Sequence, residues 1–315
     1  MEAHQASRTA EYMALFRALE SARPASRRLF TDPLARGFLS PVLQGVVHAA
    51  GVPVLSAALP WFIDRRWPGA RASGVARTRL IDDRLIAALV DGMNQVVILG
   101  AGYDARAYRL PALGRVRLFE VDHPATQAAK QARVRRMLRT LPAHVTFVPL
   151  DFNNHALPDA LAAAGFDQAR PAIFVWEGVT NYLSAAAVDS TLRFVGGTAA
   201  GSLLLFTYVH RDALIDPQAI PGGHRLARTL RRAGESWTFG LDPADMPNYL
   251  AARGLRLLED SGSVEYRARY LGAHGQHLRG YAFYHVALAK VEGLRPADLD
   301  KTTGMNSAGA RDAEG

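Results

Sequence analysis

The feature that most constrains this chain is an apolar run that enters a glycine turn, Val96-Val97-Ile98-Leu99-Gly100-Ala101-Gly102-Tyr103-Asp104-Ala105-Arg106. Four apolar, mostly β-branched residues in a row suit a strand covered on both faces. Gly100 and Gly102 lack Cβ atoms, so the backbone can turn sharply there and a ligand can approach it. The next predicted strand ends in Phe119-Glu120-Val121-Asp122, which puts an acid 22 residues after Gly100. A carboxylate at such a strand tip can accept hydrogen bonds from both hydroxyls of a ribose. The pattern predicts the nucleoside corner of a doubly wound α/β sheet, and so an enzyme with a ribose-bearing cofactor.

The rest of the chain alternates in the same way. Val96–Leu99, Val116–Val121, Val145–Leu150, Ala172–Trp176 and Ser202–Tyr208 read as strands. Helical patterns fill Pro124–Leu141 and Ala185–Val195 between them, which predicts a parallel sheet with right-handed crossovers. Before the first strand, Ser7–Arg23 and Ala72–Asp91 have helical spacing, and Asp32-Pro33 opens a further turn. After the fifth strand, Gly222–Ala233 and Asp242–Arg253 read as helices. Leu255–Glu259 reads as a short strand and Tyr281–Val291 as a long last one. These boundaries give a helical cap over 1–92, a cofactor-binding core over 93–293 and a disordered polar tail over 294–315.

Bulk properties exclude several classes. A chain of 315 residues, 49% hydrophobic, can build one large core or a core with an accessory subdomain. The absence of cysteine removes disulfides, thiolate metal sites and cysteine nucleophiles. No H-x-x-x-H or H-E-x-x-H spacing occurs, so no metal is expected, and no G-x-S-x-G elbow supports a hydrolase. The net charge of +8 comes almost wholly from dispersed arginines, with no basic helix or aromatic RNA signature. It is read as composition rather than as a nucleic-acid surface. Val42–Ile63 is uncharged and apolar but is broken by Pro53, Pro60 and two glycines. It reads as two short helices around Gly51-Val52-Pro53, a lid or core element rather than a membrane span. The polar, Ala-rich start shows no signal-peptide pattern, and the chain reads as cytoplasmic.

Two nucleoside cofactors compete for the glycine turn. Gly100-x-Gly102-x-x-Ala105 satisfies the alanine form of the dinucleotide fingerprint, which keeps a nicotinamide-dependent oxidoreductase open. S-adenosylmethionine needs no diphosphate cradle, and four features favour it. Asp104 and Arg106 crowd the turn, Asp151-Phe152 ends the third strand, Trp176-Glu177-Gly178 ends the fourth, and the strand-rich C-terminal end is unlike a second dinucleotide half.

The motifs Ala76-Arg77-Thr78-Arg79, Leu99-Gly100-Ala101-Gly102-Tyr103-Asp104-Ala105-Arg106, Glu120-Val121-Asp122-x-Pro124, Asp151-Phe152 and Glu177-Gly178-Val179-x-x-Tyr182-Leu183 occur in one order. In this the chain resembles the leucine carboxyl methyltransferase family, particularly its bacterial branch of S-adenosylmethionine-dependent O-methyltransferases. The resemblance implies a class I methyltransferase fold, a Rossmann-like seven-stranded sheet with its last strand antiparallel and helices before its first. It implies that Arg77 pairs with the methionine carboxylate, with Arg79 as its fallback. Gly100, Ala101 and Gly102 would face the amino-acid and ribose portions, and Asp122 the ribose hydroxyls. His123, next to Asp122, is a further cofactor-binding candidate that also reads as solvated loop, Asp151 and Phe152 would bracket adenine, and Glu177 would sit near the methionine ammonium.

The acceptor side is less constrained. A carboxylate acceptor needs a cationic or polar clamp, for which Arg106, Arg211 and Arg267 are candidates with Tyr182, Tyr208, Tyr266 and Tyr270. A hydroxyl acceptor needs a base such as His210, which reads equally as a structural histidine. Asp104 reads either as a cap or as a cofactor contact, and Asp82 and Asp83 as helix-surface partners of Arg79 or Arg84. The expected partner is a small carboxylate or hydroxyl compound; oligomeric state is not legible.

Overall fold

Strands β1 (Gln95–Leu99), β2 (Arg117–Asp122), β3 (Val145–Pro149), β4 (Ile173–Trp176), β5 (Leu203–Val209), β6 (Leu255–Gly262) and β7 (Tyr284–Val291) form one sheet in the order β3-β2-β1-β4-β5-β7-β6. The computed structural model describes residues 8–52, 55–152, 156–217, 237–277 and 280–293. The first five strands pair in parallel, and β7 runs antiparallel between β5 and β6. This is the class I methyltransferase topology that the family resemblance implies.

The strand runs lack polar alternation because both faces are covered. Val97, Leu99, Phe119, Val121, Phe174, Trp176, Leu204 and Phe206 share one buried cluster with the crossover helices α7 (Leu157–Ala163) and α8 (Ala185–Gly196). The alternate residues Val96, Ile98, Leu118, Ile173, Val175 and Leu205 pack on the other face. There they meet Ile81 and Leu85 of α4 (Ala70–Val90) and Tyr266 of α11 (Ser263–His277). Helix α4 runs into β1, so its N-terminal half lies at the carboxyl edge of the sheet, where open α/β sheets hold their ligands.

Helices α1 (Arg8–Ser21), α2 (Pro41–Ala50) and α3 (Leu55–Arg66), with a 3-10 turn at Ala35–Phe38, precede α4, and the short helices α5 (Arg106–Arg109) and α9 (Asp212–Ile215) follow β1 and β5. Their apolar residues Ala14, Leu15, Phe38, Val47 and Ile63 form a third cluster that includes Tyr103 of the glycine turn. The apolar 42–63 stretch is thus the two helices that its prolines and glycines predict, and among the described residues no helix is long and apolar enough to cross a membrane.

Several boundaries differ from the sequence expectation. Helix α6 (Pro124–Leu138) stops short of Leu141 because Arg139 takes a left-handed φ of 68°. Strand β7 starts at Tyr284 rather than Tyr281, since Tyr281 has φ 57° and cannot continue a strand. Asp242-Pro243 opens a turn, with Asp242 Oδ1 accepting from Ala244 N, and the helix α10 follows only at Met246–Ala251. Strand β6 extends through Glu259 to Gly262, and α11 fills a stretch given no element from sequence; its kink at Gly272 obscures its period. The predicted helix 222–233 and the tail beyond 293 lie outside the described residues.

Candidate cofactor site

The glycine turn is shaped by its own backbone. Gly100 and Gly102 take φ of 65° and 40°, and the N–H groups of Gly100 and Ala101 both donate to Val121 O, at 2.8 and 3.0 Å. A Cβ on Gly100 would overlap the Val179 side chain, which comes from the loop after β4. Gly100→Ala combines that overlap with a left-handed φ, so it is expected to cost about 2 kcal/mol of stability. Chemical denaturation measures it, and a loss below about 0.5 kcal/mol would contradict this account of the turn.

Asp122 closes the corner. Its carboxylate accepts the N–H of Gly102 on one oxygen and the N–H of His123, at 2.6 Å, on the other. Burial raises its pKa, and the two N–H groups pull it back. The His123 side chain accepts from Ala125 N at 3.3 Å and caps α6, with Pro124 at the first helical position. Beneath the turn, Lys130 Nζ lies 2.8 Å from Glu120 and 3.3 Å from Ala101 O, and both side chains are 1% exposed. Tyr108 Oη donates to the same Glu120 carboxylate at 3.1 Å. Sequence reading gave this pair no role; an acid in mid-strand, two residues before Asp122, was the available signal, since a buried carboxylate needs a partner.

On the other side of the turn the charges form a closed set. Glu177, at the end of β4, accepts Arg77 Nε at 2.8 Å on one oxygen and Arg106 at 2.7 Å on the other. Arg106, 3% exposed, also binds Asp82 at 2.7 Å and Asp104 at 2.6 Å. Arg109 binds Asp82 at 2.7 Å and stands 3.8 Å from Asp32, which holds Arg17 of α1 at 2.8 Å. Four guanidiniums thus face four carboxylates, and the set ties α1 and α4 to the turn. The expectation that Asp82 is a surface charge is corrected: only Asp83 pairs with Arg79, and Asp82 is buried because Arg106 and Arg109 reach it. Asp104 also takes the capping geometry, its Oδ1 accepting Arg106 N at 2.7 Å.

Arg77 is only half used by this set. Its guanidinium lies 4.4 Å above the Tyr284 ring, and beyond Glu177 its hydrogen-bond partner is the Met13 sulfur, 3.5 Å from the terminal nitrogen Nη2. A buried guanidinium that spends its terminal donors on a thioether is suited to a carboxylate.

Across the sheet edge, Phe152 stacks on Trp176 with ring centroids 6.5 Å apart, and Asp151 stands beside it. Tyr182 Oη lies 3.4 Å from Thr9 Oγ1 of α1. His210 follows the carboxyl end of β5; its Nδ1 accepts from Asp212 N at 3.2 Å and its backbone N–H donates to Phe283 O at 2.7 Å. Of the other candidates, Arg106 is taken by three carboxylates, and Arg211 pairs with Asp245 at 3.0 Å. Tyr208 donates to Asp260 at 2.5 Å, and Tyr270 to Asp83 at 2.8 Å. Tyr266 shares a hydrogen bond of 2.7 Å with Ser73, and burial pushes its pKa up to about 12. Among the described residues, no group of three or more His, Asp or Glu is placed to hold a metal ion.

The motifs have relatives in the same order. The model of the family described as leucine carboxyl methyltransferase matches residues 10–196, more than half of the chain. The chain belongs to the leucine carboxyl methyltransferase family. A Streptomyces coelicolor protein provisionally named an S-adenosyl-L-methionine-dependent methyltransferase is 35% identical over 251 residues, 78% of this chain and 81% of that protein. A Frankia alni protein with the same provisional name is 39% identical over 200 residues, 63% of this chain and 67% of that protein. A crystal structure from Thermobifida fusca, provisionally named a methyltransferase, shares the fold at TM-score 0.56 and 18% identity, covering 89% of this chain and 94% of that one. The family match takes in the turn, Asp122, Asp151 and Glu177, and stops at the end of α8.

Proposed function

We propose that this chain methylates a carboxylate of a small molecule, with S-adenosylmethionine as donor. Family membership carries the reaction class, an S-adenosylmethionine-dependent methyltransferase. The single observation that best supports the donor is the pair Arg77–Glu177. The amino-acid end of the donor is a zwitterion, and Arg77 offers its terminal nitrogens to the carboxylate while Glu177 offers lone pairs to the ammonium. Asp122 accepts the ribose hydroxyls, the glycine turn lets the nucleoside lie against backbone, and Asp151 with Phe152 brackets adenine.

The bound donor supplies a methyl group on a sulfonium. The chain's part is to align an oxygen lone pair with that methyl and to keep water out. A carboxylate is ionised above about pH 5 and needs no base. His210 is then dispensable: His210→Ala is expected to keep activity within about threefold, with a rate flat from pH 6 to 9. A hydroxyl acceptor would instead lose about a hundredfold or more with His210 as its base. Steady-state rates of the two proteins on a panel of carboxylic acids and phenols decide between the acceptors. Calorimetric titration with S-adenosylhomocysteine and with NADH tests the donor, and binding of NADH alone would reject it.

A further inference from the structure

We propose that Arg267 is the clamp for the acceptor's carboxylate, and that the acceptor is an acid with an apolar or aryl body. This rests on the carboxyl-methylation reading above.

Arg267, on α11, is 1% exposed. Among the described residues it makes one hydrogen bond, from Nη1 to Gly280 O at 2.8 Å, its Nε is buried without a partner, and no carboxylate lies within ion-pair distance of it. Every other arginine considered as a clamp already has its anion. Burial of a guanidinium against one carbonyl is costly, so the missing partner is an anion that arrives with a ligand. Burial indeed lowers its pKa.

The surroundings point the same way. Among the described residues, the indole Nε1 of Trp237 and both polar atoms of the Asn181 amide are buried with no partner. Buried polar atoms are rarely left so; Trp237 packs on Phe283 and Tyr284, and the backbone of Asn181 is bonded to the residue after Trp237. Gly280 O accepts Arg267, and Tyr281 O accepts Ser263 Oγ. The Tyr281 and Phe283 rings lie 5.1 Å apart, and Phe283 meets Trp237 at 5.5 Å. Thr238 N donates to Asn181 O at 2.8 Å, which joins this wall to the loop after β4. Tyr284 carries Arg77 on its face. The guanidinium of Arg267, the N–H groups of Trp237 and of the Asn181 amide, and the rings of Trp237, Tyr281 and Phe283 suit a carboxylate joined to an apolar body, with the Asn181 carbonyl left to a hydrogen-bond donor elsewhere on the ligand. Arg267 holds one oxygen. The other forms the new O–CH3 bond as the S–CH3 bond breaks, its electron pair staying on sulfur, and no proton moves.

The test is thermal denaturation of the full chain with S-adenosylhomocysteine, with and without phenylacetate or octanoate, and with phenethylamine as control. The acids are expected to raise the wild-type Tm and the amine to leave it unchanged. Arg267→Met is expected to lose the acid response, to raise KM for a turned-over acid by at least about tenfold, and to keep its affinity for S-adenosylhomocysteine. Its own Tm, without acid, is expected to match or exceed wild type, since an unpaired buried charge has gone. Arg267→Lys is expected to keep part of the response. A methionine variant that still responds, a stable lysine variant that does not, or a wild type unmoved by both acids would each overturn the proposal. Failure of the wild type to bind S-adenosylhomocysteine would instead overturn the methyltransferase reading, and this proposal with it.

Discussion

Arg106→Met is expected to lose about 3–5 kcal/mol of stability, the largest effect of any single substitution named for this chain. Methionine matches the stem but removes the one cation that Asp82, Asp104 and Glu177 share. Arg109 still reaches Asp82 and Arg77 still reaches Glu177, so Asp104 suffers most. Burial opposes the ionisation of Asp104, yet the guanidinium of Arg106 beside it holds its pKa down at about 2. The sign follows from that depression. A carboxylate held below its ordinary value near 3.8 adds stability above pH 4, and this is lost as pH falls toward 2. The variant should therefore be less stable at neutral pH and should lose part of the wild type's acid sensitivity. Lysine is a poor substitute, because a point charge on a flexible stem cannot serve three carboxylates in fixed directions. Urea denaturation at pH 7 and pH 3.5 measures both effects. A loss below about 1 kcal/mol at pH 7 would show that the set is not coupled as its distances suggest.

The sheet was legible because its signals are local. The β-branched run Val96–Leu99, the glycines after it and the acid at Asp122 each follow from their own stretch of chain, whereas the caps at His123 and Ser184 show only in the fold. The charged set was legible only as separate residues. Nothing in the spacing of Arg17, Asp32, Asp82 and Arg109 says that they meet, because four separate segments bring them together. Asp82 shows the consequence: i,i+3 spacing from Arg79 offers a helix-surface partner, and tertiary packing supplies a buried one. Arg267 was visible as a cation, but its lack of an acid is a property of the folded neighbourhood. So is the burial of Asn181, which lies in a motif read for its glutamate and its tyrosine. The pattern is consistent. Backbone turns and strand tips announce themselves in sequence, whereas the pairing of long charged side chains depends on the packing of distant helices.

Asp122→Ala is expected to weaken S-adenosylhomocysteine binding by more than about a hundredfold, which corresponds to about 3 kcal/mol. The magnitude comes from two charge-assisted hydrogen bonds to the ribose hydroxyls, both lost together. The half-buried carboxylate also accepts the N–H groups of Gly102 and His123, so the alanine variant should be less stable by about 1–2 kcal/mol. Affinity must therefore be measured well below the variant's Tm. Asp122→Asn separates the two effects. An amide keeps one carbonyl acceptor and nearly the same volume, but its NH2 group would face an N–H of the turn or a ribose hydroxyl, and it carries no charge. It should fold nearly as wild type does and bind about tenfold or more weakly. Acidification gives an independent check. Burial places the Asp122 pKa above the ordinary aspartate value, so wild-type affinity should fall as pH drops toward that raised value. The protonated acid offers the ribose one acceptor and one donor in place of two acceptors. The asparagine variant has nothing to titrate there and should show a flatter dependence over the same range. If wild type and Asp122→Asn bind S-adenosylhomocysteine equally at pH 7, the ribose is held elsewhere. The register of the nucleoside on the sheet edge would then have to be redrawn around Asp151 instead.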